Sequence, residues 1–244
     1  MGLFDFIFGS SRKGKCGKDV TTIGNHALWG CTRLNAITIP DSVTLIGDNA
    51  FDACESLTNI TIPISVTTIR QGAFAGCKNL TAITIPVSVT TINKRTFSVC
   101  TNLSTIKILG NVKSIGDMAF FGCKNLKNIT LPNGLHSIGT ETFSWCTSLT
   151  IITIPDSVTT IGYRAFQQCT SLTTINIPKS VTSIGNEAFS WGDSLTTIKL
   201  PYSDTYIGYN VFDACTNLKT IYYPKGAPFA DKLSNGNNAE LIPY

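Results

Sequence analysis

Apolar and polar residues alternate along this chain in one short phrase, and the phrase repeats. Residues 152–175, ITIPDSVTTIGYRAFQQCTSLTTI, serve as its template. The phrase returns every 23 residues from about residue 20 to residue 223, and no insertion or deletion breaks the register. Its aromatic column alone runs Leu28, Phe51, Phe74, Phe97, Phe120, Phe143, Phe166, Phe189 and Phe212. A fixed period of this size marks a solenoid: one copy cannot bury its own apolar face, and stacked copies share a continuous core.

Each copy divides into three predicted parts. First comes an alternating run such as Leu80-x-x-Ile83-x-Ile85-Pro86, in which Ile83 and Ile85 share one face and Thr84 points to the other. Period-two alternation of β-branched residues predicts a strand. Proline donates no sheet hydrogen bond, so Pro40, Pro63, Pro86, Pro132, Pro155, Pro178, Pro201 and Pro224 mark where that strand stops. A second short strand follows, as at Val158–Ile161, closed by Gly162. The last part, Ala165 to Cys169, is too short for an α-helix and reads as a 3₁₀ turn. With parallel strands about 4.8 Å apart, nine rungs give a rod of roughly 45 Å. The bulky Phe side is expected on the outside of the bend and the Leu-x-x-Ile-x-Ile strands on the inside.

The full phrase, Leu-x-x-Ile-x-Ile-Pro-x-x-Val-x-x-Ile-Gly-x-x-Ala-Phe-x-x-Cys, resembles the BspA-type leucine-rich repeats over about 200 of the 244 residues. The resemblance implies a leucine-rich-repeat solenoid, a right-handed, β-rich horseshoe of parallel stacked strands. It also implies a protein-binding or adhesion role, commonly at a cell surface. Three segments are expected: an N-terminal cap or partial repeat over 1–19, the solenoid of about nine repeats over 20–223, and a C-terminal cap over 224–244. The family's usual ending maps onto a turn at Pro224 to Gly226, a helix near Ala227 to Ser234, and a strand at Glu240 to Tyr244 over the last rung. Departures from the phrase are few: Leu109 replaces a strand-ending proline, Gly192 a column cysteine and Asp204 a buried valine, while Arg70 and Asn93 replace glycines.

Composition changes the picture modestly. The chain is 43% hydrophobic but only 14% charged, against about 25% charged in typical domains, so Thr and Ser do the solubilising. Of the net charge of +4, Arg12, Lys13, Lys15 and Lys18 form one N-terminal patch. Such a patch suits weak contact with an anionic membrane surface, and no nucleic-acid partner is expected. The opening MGLFDFIFG does not read as a signal peptide, since Asp5 interrupts the apolar run and the charges follow it. At face value that places the chain in the cytosol, although the resemblance points to the surface. Met1 to Gly9 is expected to cap the first rung.

Little in the chain suggests chemistry. Residues 9–16, GSSRKGKC, fall one residue short of a phosphate-binding loop, and Cys16 stands where a magnesium-binding hydroxyl is needed. Cys31, Cys54, Cys77, Cys100, Cys123, Cys146, Cys169 and Cys215 share one column at 23-residue spacing (two periods between the last pair), which no metal motif uses. They are expected to be buried free thiols, which fits a reducing compartment. His26 and His136 fall in different columns, so no triad or carboxylate pair can be assembled around either. No catalytic residue, metal or cofactor is expected.

Two exposed features remain. Thr38, Thr61, Thr84, Thr130 and Thr153 line one outward column, an array that could order water against ice, but Lys107, Asn176, Lys199 and Tyr222 interrupt it. Trp145 and Trp191 share a column two rungs apart, as do Tyr163 and Tyr209. Aromatic anchors are what protein interfaces favour. The candidate binding residues are therefore Trp145, Trp191, Tyr163 and Tyr209, with Lys107 and Lys199 on the inner strand. The expected function is non-enzymatic protein binding by a monomer, as a surface adhesion module or, alternatively, a cytosolic scaffold.

Overall fold

The β-branched alternation produces two stacks of parallel strands, as the pattern requires. The computed structural model describes residues 13–15, 19–110, 112–202, 204–233 and 236–244. The capping expected of Met1 to Gly9 and the side chains of the basic patch lie outside the described residues.

The inner stack begins with Lys13–Lys15 beside Ala36–Thr38 and Asn59–Thr61, each partner displaced by one 23-residue period. It continues through Ala82–Ile85 with Thr105–Ile108 and Asn128–Thr130 with Ile151–Thr153, then a single bridge from Thr153 to Asn176. Thr197–Lys199, Thr220–Tyr223 and Glu240–Pro243 complete it. A second stack of two-residue strands runs alongside, from Thr22–Ile23 to Tyr206–Ile207. Strand Ile83 and Ile85 are buried while Ala82 and Thr84 are exposed, so one face of each inner strand meets the core and the other meets solvent.

Leu109 shows what the prolines do. Its N–H donates to the Ile85 carbonyl at 3.0 Å, and the neighbouring strands pair over four residues. Proline at this position removes that donor, and the strand stops one residue sooner.

Between the stacks lies the core. Phe51 to Phe212 form a continuous pile with ring centroids 5.2–5.8 Å apart and planes within 11° of parallel. Paired strands are about 4.8 Å apart, so the Phe side is the wider one, as expected for the outside of the bend. A serine ladder stitches the rungs at the turn after the proline. Ser42, Ser65, Ser88, Ser157 and Ser180 each donate to a backbone carbonyl of the preceding rung at 2.5–2.7 Å.

The outer segment is not a 3₁₀ helix. In the rung of Phe166, the N–H groups of Ala165, Gln167 and Cys169 donate three residues back, as 3₁₀ geometry would have it. The alternating N–H groups of Arg164, Phe166 and Gln168 instead donate to Asn186, Ala188 and Ser190 of the next rung, at 2.8–3.0 Å. Half the donors are turned along the rod axis, and the chain achieves this with two left-handed residues per rung, here Arg164 (φ 52°) and Gln168 (φ 60°). Each is the third residue of a four-residue turn, where type II geometry needs positive φ.

Asp204 does not enter the core. It is exposed, and Thr205 is buried in its stead. Thr205 closes the turn by donating its N–H to Tyr202 at 3.4 Å, while its hydroxyl reaches the Val181 carbonyl at 3.3 Å. A buried carboxylate without a partner is costly, whereas β-branched Thr nearly reproduces the shape of Val, so the chain slips by one residue. Beyond the last repeat, Gly226 turns the chain at φ 81°. Ala227, Phe229 and Leu233 plug the end of the core, with a single 3₁₀ turn at Ala230–Lys232.

Candidate functional site

The candidate binding residues fall on two separate surfaces. Trp145 and Trp191 stand on the outer turns, 42% and 48% exposed, at φ 63° and 61°. Their conformation belongs to the fold, since Gly30, Ala53, Gly76, Val99 and Gly122 occupy the same column with φ of 58–70°. Bulky side chains at this position stand away from the rod. Only Gln168 separates the two tryptophans in their column.

Tyr163 and Tyr209 stand at the start of the outer segment, one rung beyond Trp145 and Trp191 respectively. The Arg164 guanidinium lies 4.6 Å from the Tyr163 ring centre. Tyr209 is 60% exposed, with the Lys232 ammonium 5.1 Å from its ring, so the C-terminal cap engages it on one side. Lys107 and Lys199 project from the inner sheet instead, four rungs and therefore about 19 Å apart. The structure does not gather these six residues into one site.

It does build a hollow of ≈ 450 Å³ around Lys199, at the C-terminal end of the inner face. Asn176, Lys179, Lys199, Tyr202, Pro224 and Tyr244 line it. The last strand carries Tyr244 back over the sheet. Its N–H donates to the Tyr223 carbonyl at 2.9 Å, and its carbonyl accepts from Lys225 at 3.0 Å. The Tyr244 hydroxyl donates to the Leu200 carbonyl at 2.6 Å, with the Pro201 carbonyl at 3.0 Å. Burial, and secondarily Tyr202, raise the pKa of that hydroxyl above its ordinary value. The Lys199 ammonium sits 4.3 Å from the centre of the Tyr244 ring, a cation–π contact that holds the lysine over the hollow. A smaller hollow of ≈ 320 Å³ lies at the other end of the inner face, beside Thr38, Asp41 and Thr61.

Sequence reasoning named Lys199 but missed Lys179 and Tyr244. The signal for Lys179 was available, because Lys179, Tyr202 and Lys225 share one column next to that of Asn176, Lys199 and Tyr222. Nothing in the repeat arithmetic places Tyr244, which lies outside the period.

The cysteine column is free and, except for half-buried Cys31, fully buried. Its thiols are also donors: seven of them reach the carbonyl of Leu28 or a column Phe in the preceding rung at 3.1–3.2 Å. Burial pushes Cys54, Cys123 and Cys169 up to about 12, with thiolate character suppressed accordingly. Among the described residues, no three His, Cys, Asp or Glu side chains are grouped to hold a metal. His26 is exposed, beside Asn49 at 3.3 Å and edge-on to Trp29. Asn79 and Asn102 belong to an amide ladder with Asn125, at 3.1–3.2 Å, which gives these positions a structural role. No helix among the described residues is long and apolar enough to cross a membrane.

Comparison with known proteins agrees with this architecture. The family model of the BspA-type leucine-rich repeat region, six copies long, matches residues 10–127 and 113–234. A leucine-rich repeat protein of T. pallidum is similar at 28% identity and a TM-score of 0.61, over 67% of this chain and 79% of that one. A leucine-rich repeat protein from Eubacterium ventriosum is similar at 34% identity and a TM-score of 0.57, over 65% of this chain and 43% of its own. Among curated proteins, none matches the sequence significantly.

Proposed function

We propose that this chain, which belongs to the BspA-type leucine-rich repeat family, is a non-enzymatic solenoid that binds another protein, as a surface adhesion and recognition module. The observation that carries the proposal is the inner face. Its strands spend their apolar side chains on the core and present a regular, parallel array of Thr, Asn and Lys to solvent, ending in the hollow at Lys199. A rigid array of this kind offers a broad surface whose few non-threonine side chains set specificity, and the fold alone does not choose the partner. Trp145 and Trp191 form a second contact surface, exposed aromatics of the type that anchor interfaces.

A cytosolic scaffold is the second version of the same reading, favoured by the unpaired thiol column, which a reducing compartment preserves. Protease treatment of intact source cells separates the two: digestion supports the surface module, and survival beside a cytosolic control supports the scaffold. Binding is tested with a photo-cross-linking residue at exposed Thr84 on the inner face and, separately, at Trp191. Protein adducts from either position are expected. No adduct from either would sink the protein-binding reading.

A further inference from the structure

The hollow at the C-terminal end of the inner face has a definite charge and shape. Two adjacent columns build it. The strand column carries Asn176, Lys199 and Tyr222 on successive rungs, and the column after the strand-ending proline carries Lys179, Tyr202 and Lys225. Successive rungs are about 4.8 Å apart, so Lys179 and Lys225 flank Tyr202 across about 10 Å. Tyr244 closes the end, with the Lys199 ammonium over its ring.

Among the described residues no acidic side chain lines this hollow, whereas its N-terminal counterpart includes Asp41. The nearest acid of the Lys179 column is Asp156, one rung away. The ion pairs among the described residues are Arg70 with Asp48, Lys78 with Glu55, and Arg164 with Glu187. Neither Lys179 nor Lys199 is neutralised in this way. Like charges gathered at a partly desolvated, aromatic-walled surface focus an attractive field for anions. The faces of Tyr202 (47% exposed) and Tyr244 (50% exposed) add flat contact area at low entropic cost.

We propose that this hollow takes a carboxylate side chain from an extended, acidic segment of a partner protein, held between Lys179 and Lys199 with the neighbouring peptide over Tyr202 and Tyr244. The proposal rests on the protein-binding reading and narrows it. A lysine already positioned by a ring and a tyrosine anchored on two carbonyls lose little freedom on binding, which favours affinity.

The test is fluorescence anisotropy with fluorescein-labelled hexaglutamate, and hexaglutamine as the uncharged control. Hexaglutamate alone should bind, more weakly as salt rises. Replacing Lys179→Gln together with Lys199→Gln should raise Kd by about tenfold or more. Lys113→Gln with Lys124→Gln, exposed lysines outside the hollow, should leave Kd unchanged, and both double variants should melt like the parent. Equal losses in the two variants would mean diffuse charge attraction and overturn the proposal, as would absence of hexaglutamate binding. Preferential displacement by inorganic sulfate over free glutamate would reassign the hollow to a sulfated ligand. If hexaglutamate fails while Thr84 still cross-links a protein, the hollow's assignment falls and the broader reading stands; failure of both removes both.

Discussion

Replacing Phe97 with alanine tests the stacked core where it has the least room to adapt. Phe97 is fully buried, with Phe74 and Phe120 each 5.6 Å away on either side. Burying an aromatic side chain removes roughly 150–250 Å² from water. At about 25 cal/mol per Å² that is about 4–6 kcal/mol, of which the alanine methyl keeps a minor share. The adjoining rungs cannot close the gap. The Phe74 N–H is bonded to Thr96 and the Phe97 N–H to Ala119, both at 2.9 Å, and the paired strands fix the same spacing on the opposite side. A residual cavity therefore persists, and Phe97→Ala should cost about 3–5 kcal/mol. Phe212→Ala, with only Phe189 stacked on it, should cost about 1 kcal/mol less. Urea unfolding followed by far-ultraviolet circular dichroism measures both, with Thr84→Ala as an exposed control. A loss below about 1 kcal/mol for Phe97→Ala, comparable to the control, would refute the stacked core as the main source of stability.

Three further outcomes are expected. Gly192→Cys should stabilise the chain by about 1–2 kcal/mol, combining reduced freedom in the unfolded chain with a newly buried thiol; its Cβ would stand 3.5 Å from the Cys215 sulfur and 3.1 Å from the Phe189 carbonyl, and a lower urea midpoint would count against the column's regularity. Thr205→Ala should cost about 1–2 kcal/mol and Asp204→Ala less than about 0.5 kcal/mol, the reverse of what an unslipped register demands, so thermal melts of the two decide the point. Stability should also fall at alkaline pH. The ordinary thiol value is 9.0, and burial raises Cys54, Cys123 and Cys169 to about 12 and Cys215 to about 11. The fold favours the neutral thiols, so their contribution is complete below pH 9 and lost as pH climbs toward 12. A urea midpoint that stays flat over that window, or a Cys169→Ala variant with an unaltered slope, would contradict this assignment.

Most of the candidate site escaped the repeat because it lies where the repeat ends. Lys199 was visible as a break in the threonine column. Lys179 and Tyr202 were visible as residues but not as walls, because a hollow appears only when neighbouring columns are laid side by side. The tryptophans face solvent, yet their left-handed backbone is hidden in the sequence: a position occupied by Gly, Ala, Val, Gln and Trp in different rungs gives no local sign of positive φ.

The sequence by itself determined the rung. Its period set the register of every strand pair within the repeats, and its apolar columns named the buried Phe, Leu, Ile and Cys residues, because side-chain alternation is a one-dimensional signal that stacking preserves. Tertiary structure decided what depends on a neighbour. The next rung's carbonyls turn alternate N–H groups along the rod and impose the outer turns. The preceding rung's carbonyls accept the column thiols and the turn serines. Asp204 aligns with buried valines, but the cost of burying its charge moves the chain by one residue and gives the place to Thr205. Tyr244 reaches the Leu200 carbonyl across 44 residues, a contact that exists only because the last strand pairs with Thr220–Tyr223 and lays its end across the sheet.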